Sequence, residues 1–599
     1  MTLLDERPQP LPVPALGSVW STPDPSWRPA TGESLLTRFG RRVSSEAGLV
    51  FLVAFGTYMT VAMLLDFKYH SFDGDAISRM ANGFYMLHSR DPHLAAVGFV
   101  WNPLSSVVNL PLLTFNSLWP VLASHNLAGT SMSALAMSGA VYQVHSILRE
   151  WKVKAPLRLV LTAFLAFNPL ILLFGGNGMS EALYLFTMLA ATRYLLRWLR
   201  EDDLASLVFA ATALAFAYLE RTEPVAAAAL AAPLVCWVTL VRASGERRER
   251  VWAGLTDGVI FVMPIVTAFL GWAAMAWVIT GQPFQQLTSK YGNAALIADS
   301  HIQTGTLTTR LVHEASAVTY TGPLFTVIVL VAAIVAVRRR NVQILGIAAV
   351  LGGGLAFTLG SYLTNAIFPW YRYYILVVPL EVILVGTLFA VPCPLSPLVE
   401  ANTEGVGEGV AGPVRRVRPA TAFGALGAAA VCVGLLVPSI PGTALAMDNP
   451  KIAPDVLVYY GFIYHRHLSA QDRAAENAYA GVLAIAHYFD AHHFPNGDVI
   501  VDTADNCIPN VVTNVDAPRM FVIHNDRDFQ RTLGDPLVFG AHYLMVQGVG
   551  AVSADAVGQQ YPALGSGTPW VRLAHSFPPK GLCSGFNLYR VTGHPTRTF

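Results

Sequence analysis

Residues 66–103 read DFKYHSFDGDAISRMANGFYMLHSRDPHLAAVGFVWNP and directly follow a first apolar segment near residues 47–65. Acidic, basic and histidine side chains crowd this stretch, although charged residues make up only 13% of the chain. Residues 76–88 contain no proline, and their apolar side chains recur at the spacing of an amphipathic helix. Asp73 and Asp75 would lie at the N-terminal edge of that helix. Two interpretations stay open: a solvated connector, or a catalytic loop on the membrane surface with an aspartate as base.

The composition indicates what kind of protein carries this loop. The chain has 599 residues, of which 53% are hydrophobic, and its net charge is only +1. Soluble proteins carry roughly a quarter charged residues, so this composition predicts a polytopic helical membrane protein. The charge balance shows no basic excess, which argues against a nucleic-acid partner.

Apolar segments of about 20 residues are long enough to cross a bilayer as helices. Eleven such segments lie near residues 47–65, 126–147, 157–174, 180–199, 204–219, 224–241, 252–279, 323–337, 342–360, 372–391 and 421–440. The stretch 103–121 is also apolar, but prolines and asparagines interrupt it. These residues weaken a lipid-facing helix, so we expect a re-entrant or interfacial segment there.

Lysine and arginine residues set the expected orientation of the spans. With eleven spans and a cytoplasmic N-terminus, every loop assigned to the cytoplasm is basic, as the positive-inside rule requires. Their cations are Arg38, Arg41, Arg42, Arg149, Lys152, Lys154, Arg158, Arg197, Arg200, Arg242, Arg247, Arg248, Arg250, Arg338, Arg339, Arg340, Arg415, Arg416 and Arg418. We therefore expect a multi-pass protein of the cell membrane, with a disordered cytoplasmic tail at residues 1–45 and a membrane domain at residues 46–445. The 66–103 loop would face the extracytoplasmic side.

The composition of residues 446–599 is that of a soluble domain on that same extracytoplasmic side. A helical pattern covers residues 474–490, and short strand patterns lie at residues 498–502, 520–524, 542–547 and 586–591. Alternating helix and strand predict a small α/β domain. Cys507 and Cys583 could pair there, since disulfides persist outside the cytoplasm.

Two acidic or basic positions in short loops are further candidates on that side. Glu181 follows a glycine turn and begins a span, where a carboxylate suits a helix N-terminus or could touch a sugar hydroxyl or an ion. Arg221 lies between two glutamates, an arrangement that is often only a paired interfacial charge.

Two longer stretches add cations. Lys290 belongs to the loop 280–322, which is long enough to fold over a site as a lid. Tyr371 and Arg372 open a span within an aromatic run, and aromatics at a span end are often membrane-interface residues. Arg372 also suits a lipid-linked phosphate, because a guanidinium binds phosphate oxygens bidentately and stays charged.

An acidic motif after a first span, then interfacial helices, many spans and a soluble C-terminal domain resemble the GT-C superfamily of polyprenyl-phosphosugar glycosyltransferases. The acidic motif is Asp73-Gly74-Asp75. The string from Asp75 to Pro103, with Arg79, Asn82 and Asn102-Pro103-Leu104, is similar to the acidic loop of the protein-mannosyltransferase and aminoarabinose-transferase branch. Gly74 departs from the doubled acidic pair of many relatives, so either aspartate could be the base. The resemblance implies transfer of a sugar from a polyprenyl-phosphate donor to an envelope glycan, lipid or protein.

Residue roles follow as expectations from that resemblance and from the side-chain chemistry. Asp75 is predicted as the base of an inverting transfer, with Asp73 as helper or metal ligand. The predicted substrate-binding residues are Arg79, Asn102, Glu181, Arg221, Lys290, Tyr371 and Arg372. The two aspartates could hold Mg²⁺ or Mn²⁺ or could act without a metal. A lipid-linked sugar flippase or transporter and a non-catalytic envelope scaffold remain alternatives.

Overall fold

The computed structural model describes residues 45–285, 305–390, 433–463, 478–504, 507–548, 555–580 and 585–595, with a few single positions between them. By its internal contacts the chain divides into residues 1–49 and residues 50–599. The site and the C-terminal domain lie in the second unit.

Helices form most of the described chain up to residue 447, and each of the first ten predicted apolar segments coincides with one or two of them. These helices are Glu46–Met63, Gly74–His88, Leu104–Leu113, Val121–Ser124, Leu127–Glu150, Ala155–Ala166, Pro169–Gly176, Ser180–Glu201, Leu204–Tyr218, Pro224–Arg242, Arg247–Thr280, Leu307–Thr321, Phe325–Arg339, Gln343–Ile347, Gly353–Leu363, Val377–Thr387 and Ser439–Met447. The predicted class, a helical membrane domain followed by a small α/β domain, is confirmed.

Within the described residues, four helices are long and apolar enough to cross a membrane, and two sharply bent helix pairs could add one span each. The four are Glu46–Lys68, Pro224–Arg242, Arg247–Thr280 and Gln343–Leu363. The bent pairs are Ala155–Ala166 with Pro169–Gly176, at 65°, and Leu307–Thr321 with Phe325–Arg339, at 74°. The chain is therefore a multi-pass membrane protein, while the count of eleven spans stays a prediction.

The stretch 103–121 is too short in its helical part to cross a bilayer. Its helix, Leu104–Leu113, has ten residues and contains Pro111, so it is about 15 Å long. Phe115, Leu118 and Trp119 follow it with exposed side chains. An apolar, exposed turn after a short helix fits the expected re-entrant or interfacial segment.

The expectation of a long loop without regular structure at residues 280–322 is wrong for its second half. Residues Leu307–Thr321 form a helix that begins at Thr306, whose hydroxyl accepts a hydrogen bond from the backbone N–H of Thr309. That cap satisfies one of the free N–H groups of the first turn. Lys290 lies outside the described residues.

We call Gly74–His88 the loop helix. Its predicted apolar side chains Ile77, Met80 and Phe84 are buried, as expected. A helix lying on the membrane surface would leave its opposite face exposed. In the structure that face is covered, because the loop helix lies between Leu104–Leu113 and the C-terminal helix Ile508–Asn514. The apolar spacing within a single segment indicates which face is buried, but it cannot reveal a second element that covers the other face.

The two ends of the helical bundle differ in charge. Helix Ser180–Glu201 has Glu181 in its first turn and Arg200 in its last turn, about 30 Å apart at 1.5 Å per residue. At the Arg200 end, its guanidinium contacts Glu150 at 2.7 Å and Arg242 contacts Asp202 at 3.2 Å. Arg200 and Arg242, two cations of the predicted cytoplasmic loops, thus lie at one end of this helix, and Glu181 lies at the other.

The C-terminal domain contains the five-stranded sheet β2-β1-β3-β5-β4. Its strands are β1 Val499–Val501, β2 Phe521–Ile523, β3 Tyr543–Gln547, β4 Val571–Phe577 and β5 Phe586–Val591. Strand β1 runs parallel to β2 and β3, with Ile500 opposite Val522 and Leu544, whereas β5 is antiparallel to both β3 and β4. Its helices are Leu457–Ile463, Ala478–His492, Ile508–Asn514, Phe529–Gly534 and Ala556–Gln560.

Four of the five strands were predicted, and β4 was not. Most side chains of β4 are exposed, so its sequence lacks the apolar run that marks the others. The predicted disulfide is present, joining Cys507 to Cys583. It links the start of helix Ile508–Asn514, which covers the loop helix, to the segment before β5.

Candidate functional site

Asp73 and Asp75 lie side by side at the N-terminus of the loop helix. Asp73 is the N-cap, and its Oδ1 accepts a hydrogen bond from the backbone N–H of Asp75 at 2.9 Å. Helix N-termini favour carboxylates, because their first N–H groups lack partners within the helix. Burial, reinforced by the Asp75 carboxylate, raises the pKa of Asp73, and the nearby Arg372 opposes that rise.

Arg372 connects this pair to the membrane helices. Its Nη2 lies 2.6 Å from Asp75 Oδ2, and its Nε lies 3.6 Å from Glu181 Oε1. The guanidinium also stacks over the Trp370 ring at 4.0 Å, and the residue is only 6% exposed. Two residues that are 297 positions apart in the chain therefore form a direct ion pair.

The turn that carries Arg372 is held by a residue that sequence reasoning missed. Asp455 accepts hydrogen bonds from two successive backbone N–H groups, those of Tyr371 at 2.9 Å and Arg372 at 3.3 Å. A buried carboxylate with two N–H partners fixes the backbone from which the Arg372 side chain extends. The sequence carries no local signal for this contact, because Asp455 lies 83 residues further along the chain.

Arg221 extends the row of alternating charges. Its Nη1 lies 2.8 Å from Glu181 Oε1, and its Nη2 lies 2.7 Å from Glu223 Oε1. We call the row Asp75, Arg372, Glu181, Arg221 and Glu223 the charge ladder. Arg221 is therefore a paired charge, as its two flanking glutamates suggested. Glu181 also contacts Arg372, so Arg221 and Arg372 share one carboxylate.

Glu220 forms a second buried acid next to the ladder. It accepts a hydrogen bond from the Ser105 hydroxyl and lies 3.6 Å from Arg79 Nη1. The Arg79 guanidinium stacks over the Trp101 ring at 4.4 Å. Burial raises the pKa of Glu220 to about 7, although Arg79 and Ser105 oppose the rise. The sequence showed Glu220 only as a neighbour of Arg221.

The structure brings Asp73, Asp75, Glu181, Arg221 and Arg372 together, with Arg79 one contact away through Glu220. Two other predicted substrate-binding residues have protein partners elsewhere. The Asn102 amide donates a hydrogen bond to the Tyr218 carbonyl, and the Tyr371 hydroxyl is bonded to Thr321 at 2.7 Å. Substrate contact by either of them stays a prediction.

The aspartate pair does not fit a resident divalent metal ion. Across the residues that the structure describes, no group of three or more His, Cys, Asp or Glu side chains is arranged to hold one. Asp73 Oδ1 accepts from a backbone N–H, and Asp75 Oδ2 faces the Arg372 cation. A divalent ion bound at Asp75 Oδ2 would have to replace that guanidinium.

The end of the loop helix is tied to the C-terminal domain by reciprocal ion pairs. Arg90, after the loop helix, contacts Asp526 at 3.1 Å and also contacts Asp528. In the opposite direction, Arg527 of the C-terminal domain contacts Asp91 at 2.5 Å. We call these five residues the domain clamp. The clamp fixes one end of the helix whose other end carries Asp73 and Asp75.

Comparison with known proteins finds solved structures that resemble this chain, but no protein related to it by sequence. No protein-family model matches the chain, and no curated protein matches it. Solved structures that resemble it include ArnT from Cupriavidus metallidurans bound to undecaprenyl phosphate, at 14% identity and a TM-score of 0.49, covering 91% of this chain and 98% of that one. The apo state of the same ArnT gives 14% identity and a TM-score of 0.46, covering 92% and 98%.

Proposed function

We propose that this chain is an integral-membrane glycosyltransferase that moves a sugar from a polyprenyl-phosphate donor to a cell-envelope acceptor. The observation that carries the proposal is the pairing of Asp75 with the buried Arg372 beside a second carboxylate, Asp73. A carboxylate base and a guanidinium suited to phosphate are the two groups that transfer from a phosphosugar requires. Their placement at the end of a helical membrane bundle suits a donor whose lipid tail stays among the helices.

The reaction is proposed as a single displacement that inverts the sugar. Asp75 takes the proton of an acceptor hydroxyl as its oxygen bonds to the anomeric carbon, and the bond from that carbon to the phosphate oxygen breaks. The transition state has oxocarbenium character. Polyprenyl phosphate leaves, and Arg372 stabilises the negative charge that develops on it.

A donor phosphate would compete with Asp75 for Arg372. Arg372 Nη2 lies 2.6 Å from Asp75 Oδ2, and a phosphate would bind the same guanidinium N–H groups. Arg221 is less available to phosphate, because Glu181 and Glu223 already occupy it.

Asp73 is the second candidate for the base. Its pKa is raised by burial and by Asp75, and a general base works best when its pKa lies near the working pH. In this version Asp75 holds Arg372 in place while Asp73 accepts the proton. Each version predicts a different aspartate as the one whose amide variant loses all transfer.

The extracytoplasmic side is proposed for this chemistry. The basic residues of helix ends such as Arg200 and Arg242 cluster at one end of the bundle, and the charge ladder lies at the other. The positive-inside rule then assigns the cationic end to the cytoplasm. The disulfide Cys507–Cys583 also suits a compartment outside the cytoplasm.

The direct test is transfer by purified full-length protein in lipid nanodiscs, with a panel of radiolabelled polyprenyl-phosphosugars and an envelope acceptor fraction. We expect one donor to be used, with the anomeric configuration of the product opposite to that of the donor. Protein carrying Asp75→Asn and Asp73→Asn together is the inactive control. Absence of turnover with every donor, in protein that melts cooperatively, would reject the proposal.

A lipid-linked sugar transporter is the second candidate function. Two bent helix pairs, at 65° and 74°, and the buried Glu381 within Val377–Thr387 resemble the interrupted helices and intramembrane charges of transporters. Translocation of a fluorescent polyprenyl-phosphosugar across proteoliposomes, unchanged by the double aspartate substitution, would favour it. A scaffold would show neither transfer nor translocation.

A further inference from the structure

A cavity of about 950 Å³ lies beside the proposed reaction centre, between the loop helix and the C-terminal domain. Its walls come from the segment before the loop helix, from residues 116–125 and from residues 479–519 of the C-terminal domain. The volume is at the upper end of the range of roughly 300–1,000 Å³ that ligand pockets occupy. There is room for several linked sugar rings.

The wall combines apolar side chains, among them Phe84, Leu483 and Val515, with polar groups that are almost uncharged. Uncharged side chains supply most of the polar groups: Asn116, Ser117, Ser124, Asn496, Thr513 and Asn514. Asp516 and Arg519 contribute one charge of each sign. Amides and hydroxyls both donate and accept hydrogen bonds, and this set matches a ligand that is rich in hydroxyl groups.

Three histidines add rings that are partly exposed. His70, His88 and His125 line the cavity, and the His70 ring stacks on Tyr479 at a centroid distance of 5.0 Å. The Tyr479 hydroxyl donates a hydrogen bond to the Asn514 side chain at 3.0 Å. This bond fixes the stacked rings relative to the Asn514 amide. Flat rings next to hydrogen-bonding groups suit the apolar faces and polar edges of sugar rings.

The cavity wall and the proposed base belong to the same segment of the chain, although neither Asp73 nor Asp75 lines the cavity. His70 precedes Asp73 by three residues, and the ring of Phe72 packs on Tyr479 at 5.3 Å. The other wall, Phe84 and His88, belongs to the helix that Asp73 caps. A ligand in the cavity therefore contacts the same segment that carries the reacting carboxylates.

The wall does not favour an extended peptide. Proteins bind extended peptides most often by adding a strand to a sheet edge, and none of the residues of β1 to β5 lines this cavity. The near balance of charge also gives no basic surface for a strongly acidic polymer. Of the three acceptor classes, the cavity fits a saccharide best.

We propose that this cavity binds the saccharide part of the acceptor, and this inference rests on the proposed transferase function. The acceptor sugar is either free or lipid-anchored, and both sources present the same hydroxyl chemistry. A lipid anchor would extend along the exposed apolar side chains Phe115, Leu118 and Trp119, which adjoin the rim residues Asn116 and Ser117.

Binding of defined oligosaccharides to the full-length protein in nanodiscs tests this site. The probes are mannohexaose, arabinohexaose and maltohexaose, each free and as a dodecyl glycoside, together with an uncharged hexapeptide, and the Kd is measured by calorimetry. Ser117→Trp fills the cavity from an exposed position. Val538→Trp is the matched control, because the Val538 side chain is 64% exposed and does not line the cavity.

We expect at least one hexasaccharide to bind, Ser117→Trp to weaken its binding tenfold or more, and Val538→Trp to leave its Kd within twofold. Tighter binding of the dodecyl form than of the free sugar would assign the lipid-anchored source. No saccharide binding, binding of the hexapeptide alone, or a Ser117→Trp variant with unchanged Kd would overturn the proposal.

Donor turnover measured on the same samples separates the two proposals. In the transfer reaction, Ser117→Trp should raise the acceptor KM and leave the donor KM unchanged. Turnover of a donor without any saccharide binding rejects the cavity assignment alone. Saccharide binding without turnover of any donor rejects the transferase, and with it the acceptor role of the cavity, while the saccharide site itself is retained.

Discussion

The charge ladder and the domain clamp are both rows of alternating charges, but they lie in different surroundings. In the ladder, Arg372 and Glu181 are buried. In the clamp, the Arg527 side chain is 69% exposed. Buried ion pairs are costly to desolvate and costly to break, whereas exposed pairs contribute little. The cost of burying the ladder is better explained by the proposed role in substrate binding than by stability.

The largest expected effect is on transfer, from removal of the proposed base. Asp75→Asn keeps the shape of the side chain but cannot accept the proton, so transfer should fall by about 10²- to 10⁴-fold. Radiolabel transfer at saturating donor measures the loss, and the melting temperature checks the fold. If Asp73→Asn abolishes transfer while Asp75→Asn retains a tenth or more, the base is Asp73.

Substitution of Arg372 should have the next largest effect, on both stability and activity. Arg372→Leu leaves Asp75 and Glu181 without one of their cations, and breaking such a buried pair costs about 3–5 kcal/mol. Arg372→Lys keeps the charge but loses the bidentate geometry, so the protein should fold and its donor KM should rise. Thermal melting and donor titration measure the two effects. A Lys variant with wild-type donor KM would remove Arg372 from the phosphate site.

Substitution of Asp455 tests whether the charge ladder depends on the backbone turn that Asp455 holds. Asp455→Ala removes the acceptor of two backbone hydrogen bonds, a loss of about 1–3 kcal/mol when the donors stay buried. Because Asp455 acts through Arg372, we expect kcat to fall and the pH profile to shift as Asp75 loses its fixed partner. Asp455→Asn, which can still accept one bond, should recover part of the activity. Equal loss in both variants would point to a merely structural role.

Glu220 makes the ladder region sensitive to pH. The pKa of its carboxyl is raised from 4.5 to about 7 by burial, so the folded chain holds this proton more tightly than the unfolded chain. Its contribution to stability is complete below pH 4.5 and is lost as the pH rises towards 7. The melting temperature of the wild type should therefore fall more between pH 5 and pH 8 than that of Glu220→Gln. Identical pH slopes would contradict the raised pKa.

The smallest effect should come from the exposed half of the clamp. Arg527→Ala removes a largely exposed pair with Asp91, so it should barely change the melting temperature and leave transfer within twofold. Arg90→Ala is the matched change on the buried side, because it leaves Asp526, whose side chain is fully buried, without its cation. It should lower the melting temperature more. A strong loss of transfer in Arg527→Ala would mean that the clamp controls the site.

Residues close together in the sequence were predicted well. The loop helix, the apolar segments and four strands follow from spacing alone, because helices and strands repeat at fixed periods. The candidate residues Asp75, Glu181, Arg221 and Arg372 do meet in one place. Each had been selected from its own short motif, and a shared side of the membrane was the only link between them.

Residues joined over long distances could not be predicted. Asp455 supports the Arg372 turn through backbone N–H groups, and any carboxylate at the right place in space would do so. The helical half of the 280–322 loop and the covering of the loop helix by Ile508–Asn514 were missed for the same reason. Pairwise contacts of this kind leave no periodic trace in the sequence.

The sequence by itself determined that this is a multi-pass helical membrane protein with an acidic loop after its first span and a small α/β domain at its end. Apolar length and periodicity decide those features within single segments. Only the tertiary structure decided that Arg372 faces Asp75, that Asp455 holds it there, and that a cavity opens between the loop helix and the C-terminal domain. Those relations depend on how separate segments pack, because burial and distance set the energy of a charge and neither is a property of one stretch of chain.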